Sequence, residues 1–292
     1  MSQPLHIPVL CAEILQFVAE LPGELKQGLD VTFGRGGHTT ALLEKFPQLK
    51  MTGLDRDPSA VIYGQQQFAN LVQGGRLTLA QHNFHQELPA VDGGWDFILA
   101  DLGVSSPQLD EAGRGFSFYQ DGPLDMRMDQ AQALTAADIV NQWSAEELSN
   151  LFHDLGEIRR PNRAVARILE QRQEKPFTTT QQLSQLLERS EGWQRRGHHP
   201  ATQYFLALRL EVNQEISALR PAVESMMLKL RPGGRLIVIT FHSLEDRIIK
   251  YAFKESTAGQ PVNKKVVMPG RAETGRNPRS RSAKLRVFQR GD

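Results

Sequence analysis

Residues 28–37 have the sequence GLDVTFGRGG, and this stretch decides the fold. Its first six residues are mostly apolar or β-prone, so they predict a short buried strand. Three glycines follow within four residues, where the chain turns from that strand into a helix. Glycine lets the backbone approach a ligand closely, and the first turn of a helix has N–H groups without partners. The stretch therefore predicts a cofactor loop, with a plain tight turn as the alternative.

The alternation of strand and helix continues on both sides of this stretch. Helices are predicted between residues 10 and 21, at 39–45, at 58–71 and at 244–255. Strands are predicted at 28–33, 50–54, 76–80, 95–100, 235–241, 265–268 and 284–289. Such alternation indicates right-handed βαβ units. The expected fold is therefore α/β, with a mostly parallel sheet that is covered on both faces.

A long interruption separates the fourth predicted strand from the fifth. About 130 residues lie between them, which is far more than an ordinary connection contains. Capping boxes at Ser144-x-x-Glu147 and Thr179-x-x-Gln182 begin helices there. A long helix is predicted from about Thr202 to residue 231, with a kink or restart at Pro221. We therefore predict a sheet domain formed by residues 1–104 and 218–292, and an inserted, mostly helical substrate-recognition domain at 105–217.

Composition excludes several classes of protein. Hydrophobic residues make up 40% of the 292 residues and charged residues 23%, which is typical of globular proteins. The single cysteine, Cys11, excludes an internal disulfide and a zinc site built from several thiolates. The longest apolar run, residues 236–241, is too short to cross a membrane. The expected location is the cytoplasm, and no metal site is predicted.

The net charge of +1 hides two halves of opposite sign. Residues 1–157 contain 8 basic and 21 acidic side chains, whereas residues 158–292 contain 26 basic and 12 acidic ones. Such an asymmetry suggests that the later half meets a polyanion. The alternative is that the two halves simply complement each other in the folded protein.

Two carboxylates follow predicted strands and sharpen the cofactor hypothesis. Asp55 lies 21 residues after Gly34, where an acid can accept hydrogen bonds from ribose hydroxyls. Asp101 follows the fourth strand, beside the expected switch point of the sheet. The spacing suits both NAD and S-adenosylmethionine. Thr39 replaces the third glycine of a dinucleotide fingerprint, and the LRPGGRL junction at 230–236 is typical of methyltransferases rather than dehydrogenases.

Motifs along nearly the whole chain resemble one family, the bacterial 16S rRNA cytosine-N4 methyltransferases (ribosomal RNA small subunit methyltransferase H). In chain order they are DVTFGRGGH (30–38), LDRD (54–57), DLGVSSPQLD (101–110), RGFSF (114–118), GPLDMRMD (122–129), HPAT (199–202), FHSLEDR (241–247) and NPRSRS (277–282). The blocks that begin at Asp101 and Gly122 are the most specific.

The resemblance implies a Rossmann-like class I methyltransferase that uses S-adenosylmethionine. It implies that the cofactor is bound by Gly36, Gly37, His38, Asp55, Phe84, Asp101 and Gln108. The implied substrate is a cytidine in the decoding centre (P site) of 16S rRNA. That RNA would be met in the small ribosomal subunit or in a late assembly intermediate. The sequence leaves open whether the protein is a monomer or a homodimer.

Asp101 is the predicted catalytic residue. A carboxylate here can accept a hydrogen bond from the cytosine amino group and later receive its proton. The stacking aromatic of other amino methyltransferases is absent at this strand end, so Phe116, Phe118 and Tyr119 are candidates, although each could instead pack the loop. Candidate phosphate contacts are Arg159, Arg160, Arg163, Arg167, Arg172, Arg195, Arg196, Lys264, Lys265, Arg271, Arg276, Arg279 and Arg281.

Three other functions stay open at this point. An NAD(P)-dependent oxidoreductase fits the glycine loop less well than a methyltransferase does. A non-catalytic RNA-binding factor would not need the cofactor motifs. A small-molecule methyltransferase would have little use for an arginine-rich helical insert.

Overall fold

The computed structural model describes residues 8–191 and 199–291. Its chain divides into two compact units, one formed by Met1–Gly103 with Ser217–Asp292 and the other by Val104–Ile216. Both predicted boundaries between the domains, after residues 104 and 217, lie one residue later than these boundaries, which follow residues 103 and 216. Arg195 and Arg196, two of the predicted phosphate contacts, lie outside the described residues.

The first unit contains a seven-stranded sheet. Its strands are β1 Gln27–Asp30, β2 Lys50–Asp55, β3 Leu77–Gln81, β4 Trp95–Asp101, β5 Leu230–Thr240, β6 Gly259–Pro261 and β7 Lys284–Arg290. Their order in the sheet is β3-β2-β1-β4-β5-β7-β6. β1 to β5 pair in parallel, and β7 pairs antiparallel with β5 and β6. The predicted α/β fold with a mostly parallel sheet is confirmed.

One predicted strand, 265–268, is wrong. Residues 288–290 of β7 pair with β6, whereas Val267 makes only an isolated bridge to Leu285. Lys264 and Lys265, which precede this bridge, are exposed. This segment therefore has a single point of attachment to the sheet rather than a ladder of hydrogen bonds.

Helices cover both faces of the sheet, as its sequence requires. They are α1 Cys11–Ala19, α2 Gly37–Lys45, α3 Pro58–Gln67, α4 Ala69–Gln73, α11 Leu219–Lys229, α12 Ser243–Glu255 and α13 Arg271–Arg276. In β4, Phe97 and Leu99 pack into one apolar cluster and Ile98 into another, so both faces are buried. The helix predicted at 58–71 is interrupted at Phe68, whose ring packs edge-on against Phe33 with the centroids 6.2 Å apart.

The second unit is mostly helical. It contains α5 Ser106–Asp110, α6 Ala136–Gln142, α7 Ala145–Asp154, α8 Asn162–Glu174, α9 Thr180–Glu191 and α10 Thr202–Val212. The predicted capping box of α7 is present, since the Ser144 hydroxyl accepts a hydrogen bond from the Glu147 N–H.

The break in the long helix predicted from about Thr202 lies earlier than Pro221, because α10 ends at Val212. The buried Asn213 amide accepts a hydrogen bond from the Met128 N–H and donates one to the Met126 carbonyl, which fixes this residue to a distant loop. Helical structure resumes at Leu219 as α11.

No helix within residues 8–191 and 199–291 has both the length and the apolar character that a membrane span requires.

Candidate active site

Three carboxylates lie at one edge of the sheet in the first unit. Asp30, Asp55 and Asp101 are the last residues of β1, β2 and β4. Because these strands are parallel neighbours, their carboxyl ends share an edge. The chain leaves β1 for β2 and β3 and returns to β4 on the other side, so the β1/β4 boundary is a topological switch point. Ligands of open α/β sheets bind at such points.

Asp30 is buried and was not among the predicted site residues. Its Oδ2 accepts a hydrogen bond of 2.7 Å from the Thr39 hydroxyl, and its Oδ1 accepts one of 3.1 Å from the Thr32 N–H. Burial raises the pKa of Asp30, against the opposing effect of these donors. Asp30 therefore holds both ends of the glycine loop, since Thr32 precedes the loop and Thr39 follows it. The predicted strand at 28–33 concealed this role, because it placed Asp30 inside the strand, whereas β1 ends at Asp30.

The glycine loop requires a backbone conformation that other residues adopt rarely. Gly34 has φ +54° and Gly36 has φ +74°, and Gly36 is the N-cap of α2. A Cβ on Gly36 would lie 2.7 Å from the rings of Phe33 and Phe68, so a side chain there would displace both. The loop leads directly into the first turn of α2, whose N–H groups have no partners within the helix. That turn suits an anionic group such as a carboxylate.

Asp55 braces the same loop from the neighbouring strand. Its Oδ2 accepts a hydrogen bond of 2.7 Å from the Gly34 N–H, and its Oδ1 accepts one of 2.8 Å from the Asp57 N–H. Burial raises the pKa of Asp55 to about 6, although both N–H groups lower it. The carboxylate is therefore held in a fixed orientation and retains acceptor capacity for further donors, such as ribose hydroxyls.

Asp101 and His38 form the polar centre of this edge. His38 Nε2 lies 3.4 Å from Asp101 Oδ2, the distance of an ion pair. Burial alone would lower the pKa of His38, but Asp101 reverses this effect and raises it, with smaller contributions from a hydrogen bond to Cys11 and from the charge of Asp30. Asp101 Oδ1 is buried and has no hydrogen-bond partner in the described part of the chain. A buried acceptor without a partner is costly, which favours a ligand that donates a hydrogen bond at this oxygen.

Phe84 lies in the loop after β3. The His82 N–H at the start of this loop donates a hydrogen bond of 2.8 Å to the carbonyl of Asp55, which holds the loop at the same edge. Phe84 is half-buried and packs against one of the apolar clusters, with the His85 ring 4.4 Å from its own. Burial lowers the pKa of His85 to about 4, so this imidazole is neutral beside Phe84 at neutral pH. An apolar wall of this kind suits an adenine.

Gln108 is the one predicted cofactor residue that belongs to the second unit. It is buried at the third position of α5, where its Oε1 accepts a hydrogen bond of 2.9 Å from the Ser105 N–H. Its role toward a cofactor stays a prediction. The other six predicted residues lie in the first unit, in the glycine loop, at the ends of β2 and β4 and in the loop after β3.

The residues of the first unit fit S-adenosylmethionine. The first turn of α2 suits the carboxylate of its methionine part, while the predicted contact between Asp101 and the cofactor stays a prediction. Asp55 suits the ribose hydroxyls, and Phe84 suits the adenine. Each of these groups matches its residue in charge or polarity.

Comparison with known proteins gives the family. The model of the MraW methylase family matches residues 3–291. The chain belongs to the MraW methylase family. This methylase is 50% identical over 291 residues to ribosomal RNA small subunit methyltransferase H of Bdellovibrio bacteriovorus, covering 98% of the chain and 88% of that protein. The protein of the same name in Crocosphaera subtropica is 46% identical, covering 98% and 89%.

Two solved structures similar to this methylase are distant from it in sequence. An rRNA methylase from Streptococcus thermophilus aligns with a TM-score of 0.43 at 11% identity and covers 100% of this chain and 99% of its own. A Streptococcus mutans protein solved in complex with SAH aligns with a TM-score of 0.46 at 10% identity, covering 98% and 99%.

Family membership resolves the choice between cofactors. The methylase uses S-adenosylmethionine, as predicted, and the nicotinamide-dependent oxidoreductase is excluded. The fold is the Rossmann-like α/β fold predicted for it. That Asp55 and the glycine loop hold this cofactor stays a prediction.

Proposed function

We propose that this methylase transfers the methyl group of S-adenosylmethionine to the N4 amino group of a cytidine in the decoding centre of 16S rRNA. Its relatives are named ribosomal RNA small subunit methyltransferases, which supports rRNA as the substrate. The choice of base and atom is supported by the motifs that resemble the cytosine-N4 enzymes.

The observation that carries the proposal is the state of Asp101. Its Oδ1 is buried and has no hydrogen-bond partner among the described residues. The residue itself ends β4, beside the switch point between β1 and β4. A buried carboxylate oxygen is a strong acceptor for an N–H donor. The exocyclic amino group of cytosine donates hydrogen bonds, and its lone pair is delocalised into the ring. A hydrogen bond from the amino group to Asp101 draws electron density toward the amino nitrogen. It thereby favours the pyramidal form of the nitrogen that can attack a methyl group.

Asp101 can also accept the proton that the amino nitrogen loses after methyl transfer. His38, whose pKa is raised by this carboxylate, lies 3.4 Å from it and holds it in place. The cofactor supplies a methyl group already activated by a sulfonium charge. The protein's task is therefore to align the nitrogen with the S–CH3 bond and to exclude water.

Basic side chains adjoin this site within the first unit. A Cβ on Gly37 would lie 2.8 Å from Pro8, so the segment before α1 rests on the glycine loop. Two residues further on, the Leu10 N–H donates a hydrogen bond of 2.8 Å to Glu273 Oε1 in α13. The α13 region carries exposed Arg271, Arg276, Arg279 and Arg281. Its arginines can meet RNA phosphates near a cofactor in the loop.

Methyl transfer with labelled S-adenosylmethionine tests the proposal. The acceptors are 16S rRNA, isolated small subunits and assembly intermediates, and the modified nucleoside is identified by mass spectrometry after digestion. We expect N4-methylcytidine at one position. Another methylated nucleoside, or transfer only to small molecules, would overturn the proposal.

Asp101→Asn tests the role of the carboxylate. The variant keeps the size of the side chain and loses its charge and its capacity to accept a proton. We expect methyl transfer to fall by about 100-fold or more, the usual contribution of a general base. Cofactor affinity, measured by calorimetry, separates a loss of binding from a loss of chemistry. Near-normal transfer at saturating cofactor would contradict the catalytic role.

A further inference from the structure

Three aromatic residues of the second unit were candidates for stacking on a base, and their exposure differs sharply. Phe116 is 7% exposed and belongs to the apolar core of its unit. Phe118 is half-buried and packs against that core. Tyr119 is 78% exposed, the largest exposure of any large hydrophobic side chain in the described chain. Of the three, Tyr119 presents its ring to solvent.

Tyr119 is the outermost ring of a connected set. Its centroid lies 4.8 Å from that of Phe118, and the Phe118 centroid lies 4.6 Å from that of His199, with the ring planes inclined by 36° and 35°. The buried Phe205 supports Phe118 edge-on at 4.8 Å. We call Phe118, Tyr119 and His199 the aromatic platform. Because its inner ring is fixed by the core, its outer ring is held out in water.

Local hydrogen bonds fix the platform further. The Tyr119 N–H donates to the Ser117 hydroxyl at 3.3 Å, which tightens the turn before it. The Ala201 N–H donates to His199 Nδ1 at 3.1 Å, which orients the imidazole at the start of α10. A preorganised ring loses little conformational entropy when it stacks on a ligand.

The charge around the platform favours an anionic partner. Residues 158–172 contain five arginines and one acidic residue, and Arg159, Arg160 and Arg163 are exposed. Gly156, two residues before this segment, lies against the first turn of α10, because a Cβ on Gly156 would lie 3.2 Å from the carbonyl oxygen of Gln203. His199 immediately precedes that turn. Aromatic faces next to cationic side chains are the usual combination in proteins that bind single-stranded nucleic acid.

We propose that the aromatic platform of Phe118, Tyr119 and His199 stacks on an unpaired base of the RNA substrate, with Tyr119 as the contacting ring. The inference rests on the proposed function for the identity of the RNA. A base offers a flat apolar face to Tyr119, and the phosphates on either side of it reach the nearby arginines. Tyr119 is then a positioning residue, which holds the strand and takes no part in the chemistry.

The test compares Tyr119→Ala with Tyr119→Phe, because phenylalanine keeps the stacking face. Tyr251→Ala, at an exposed tyrosine of α12 in the first unit, is the matched control. The first readout is the affinity for a short single-stranded RNA that contains 2-aminopurine, whose fluorescence is quenched on stacking. The duplex of the same sequence serves as the comparison probe, and the second readout is kcat and KM for methyl transfer to 16S rRNA or small subunits.

We expect Tyr119→Ala to weaken binding of the single strand and raise KM by about fivefold or more, the range measured for loss of one stacked base. The RNA affinity and KM of Tyr119→Phe and Tyr251→Ala should stay near the wild-type values. In Tyr119→Ala, kcat and the affinity for S-adenosylmethionine should change little. Equal RNA affinity of the wild type and Tyr119→Ala, or equal loss with Tyr119→Phe, would overturn the inference.

The binding readout separates this inference from the proposed function. If the wild type methylates 16S rRNA but Tyr119→Ala binds RNA normally, the platform is refuted and the function stands. The opposite result is that the wild type transfers no methyl group to rRNA, while Tyr119→Ala binds single-stranded RNA more weakly than the wild type does. The platform then stands, and the proposed substrate is refuted. Melting temperatures exclude unfolding as the cause, because Tyr119 lies outside the core.

Discussion

The hydroxyl oxygen of Thr32 accepts a hydrogen bond of 2.7 Å from the backbone N–H of Asp101. The same hydroxyl lies 3.5 Å from Asp30 Oδ1, which accepts from it. One side chain thus connects the acid that ends β1 to the acid that ends β4. This hydrogen bond fixes the backbone from which the Asp101 carboxylate projects, before any ligand binds.

Thr32→Val should lower kcat more than it weakens cofactor binding. Valine has the shape of threonine but cannot accept the Asp101 N–H, so a partly buried donor loses its partner. The loss corresponds to about 1–2 kcal/mol in the free energy of unfolding. Denaturation and steady-state kinetics measure the two effects, and Thr32→Ser should restore much of both. A valine variant with wild-type kcat would show that Asp101 is oriented by other contacts.

Cofactor affinity should depend on pH through Asp55. Burial raises the pKa of its carboxyl to about 6, and the carboxylate is the form that accepts ribose hydroxyls. Below pH 6 the Kd for S-adenosylmethionine should therefore rise by up to tenfold per pH unit, whereas above pH 7 it should level off. Calorimetry across this range measures the effect. Asp55→Asn, which cannot ionise, should bind weakly at every pH and lose this dependence.

Without cofactor, Asp55 should make the stability of the folded protein fall as pH rises, whereas it makes cofactor binding stronger. The pKa of an unperturbed aspartate is about 3.9, so between about pH 4 and pH 6 the folded state binds more protons than the unfolded state. The contribution of Asp55 to stability is therefore present at low pH and is lost as pH rises to about 6. Saturating cofactor should reverse this trend, since it favours the ionised form.

Neutralising exposed arginines of the α13 region should weaken RNA binding in a salt-dependent way. Each phosphate contact to a single strand contributes about −0.7 to the slope of log K against log salt concentration. The double variant Arg276→Gln/Arg281→Gln should therefore reduce the slope by about 1.4. Arg220→Gln removes an exposed arginine of α11 that pairs with Glu224 and Glu255, and it should leave the slope unchanged. An unchanged slope in the double variant would place the RNA elsewhere.

Asp96→Ala should destabilise the first unit without changing its chemistry. Asp96 Oδ2 accepts hydrogen bonds from the N–H groups of Lys26 and Gln27, and its Oδ1 accepts one of 2.5 Å from Arg231 Nε. Removing a buried charge that satisfies three donors should cost about 3 kcal/mol of unfolding free energy.

Asp96 lies near the amino-terminal end of β4, the opposite end from Asp101. We therefore expect kcat to stay near the wild-type value at temperatures below the melting transition. The exposed Asp92 in the preceding loop supplies the control, since Asp92→Ala should shift stability by less than about 0.5 kcal/mol. A stable Asp96→Ala variant would mean that water replaces the lost acceptor.

The elements predicted best are those whose pattern is local. The parallel strands follow from apolar runs that end in turn residues, and α7 follows from its capping box. The errors fall where a distant contact decides the outcome. Asn213 ends α10 through a loop about 85 residues away. Phe68 interrupts a helix where its ring meets Phe33, and residues 265–268 are attached to β7 at a single bridge.

The candidate site divides in the same way. The glycine loop, Asp55 and Asp101 were visible because they follow strands at fixed spacing. Asp30, the hydroxyl of Thr32 and the His38–Asp101 pair gained their roles only when β1 and β4 were placed side by side. Tyr119 could not be separated from Phe116 and Phe118 in the sequence, because exposure depends on what packs against each ring.

The sequence by itself determined the fold class through the hydrophobic period of its strands and helices. It determined the family, and with it the cofactor, through the order of its motifs. Tertiary structure decided which carboxylate oxygen has no partner in the described part of the chain, which side chains surround it, and which aromatic ring faces water. These properties depend on burial and on distances between residues far apart in the chain. Strand pairing sets those distances, so local pattern alone does not contain them.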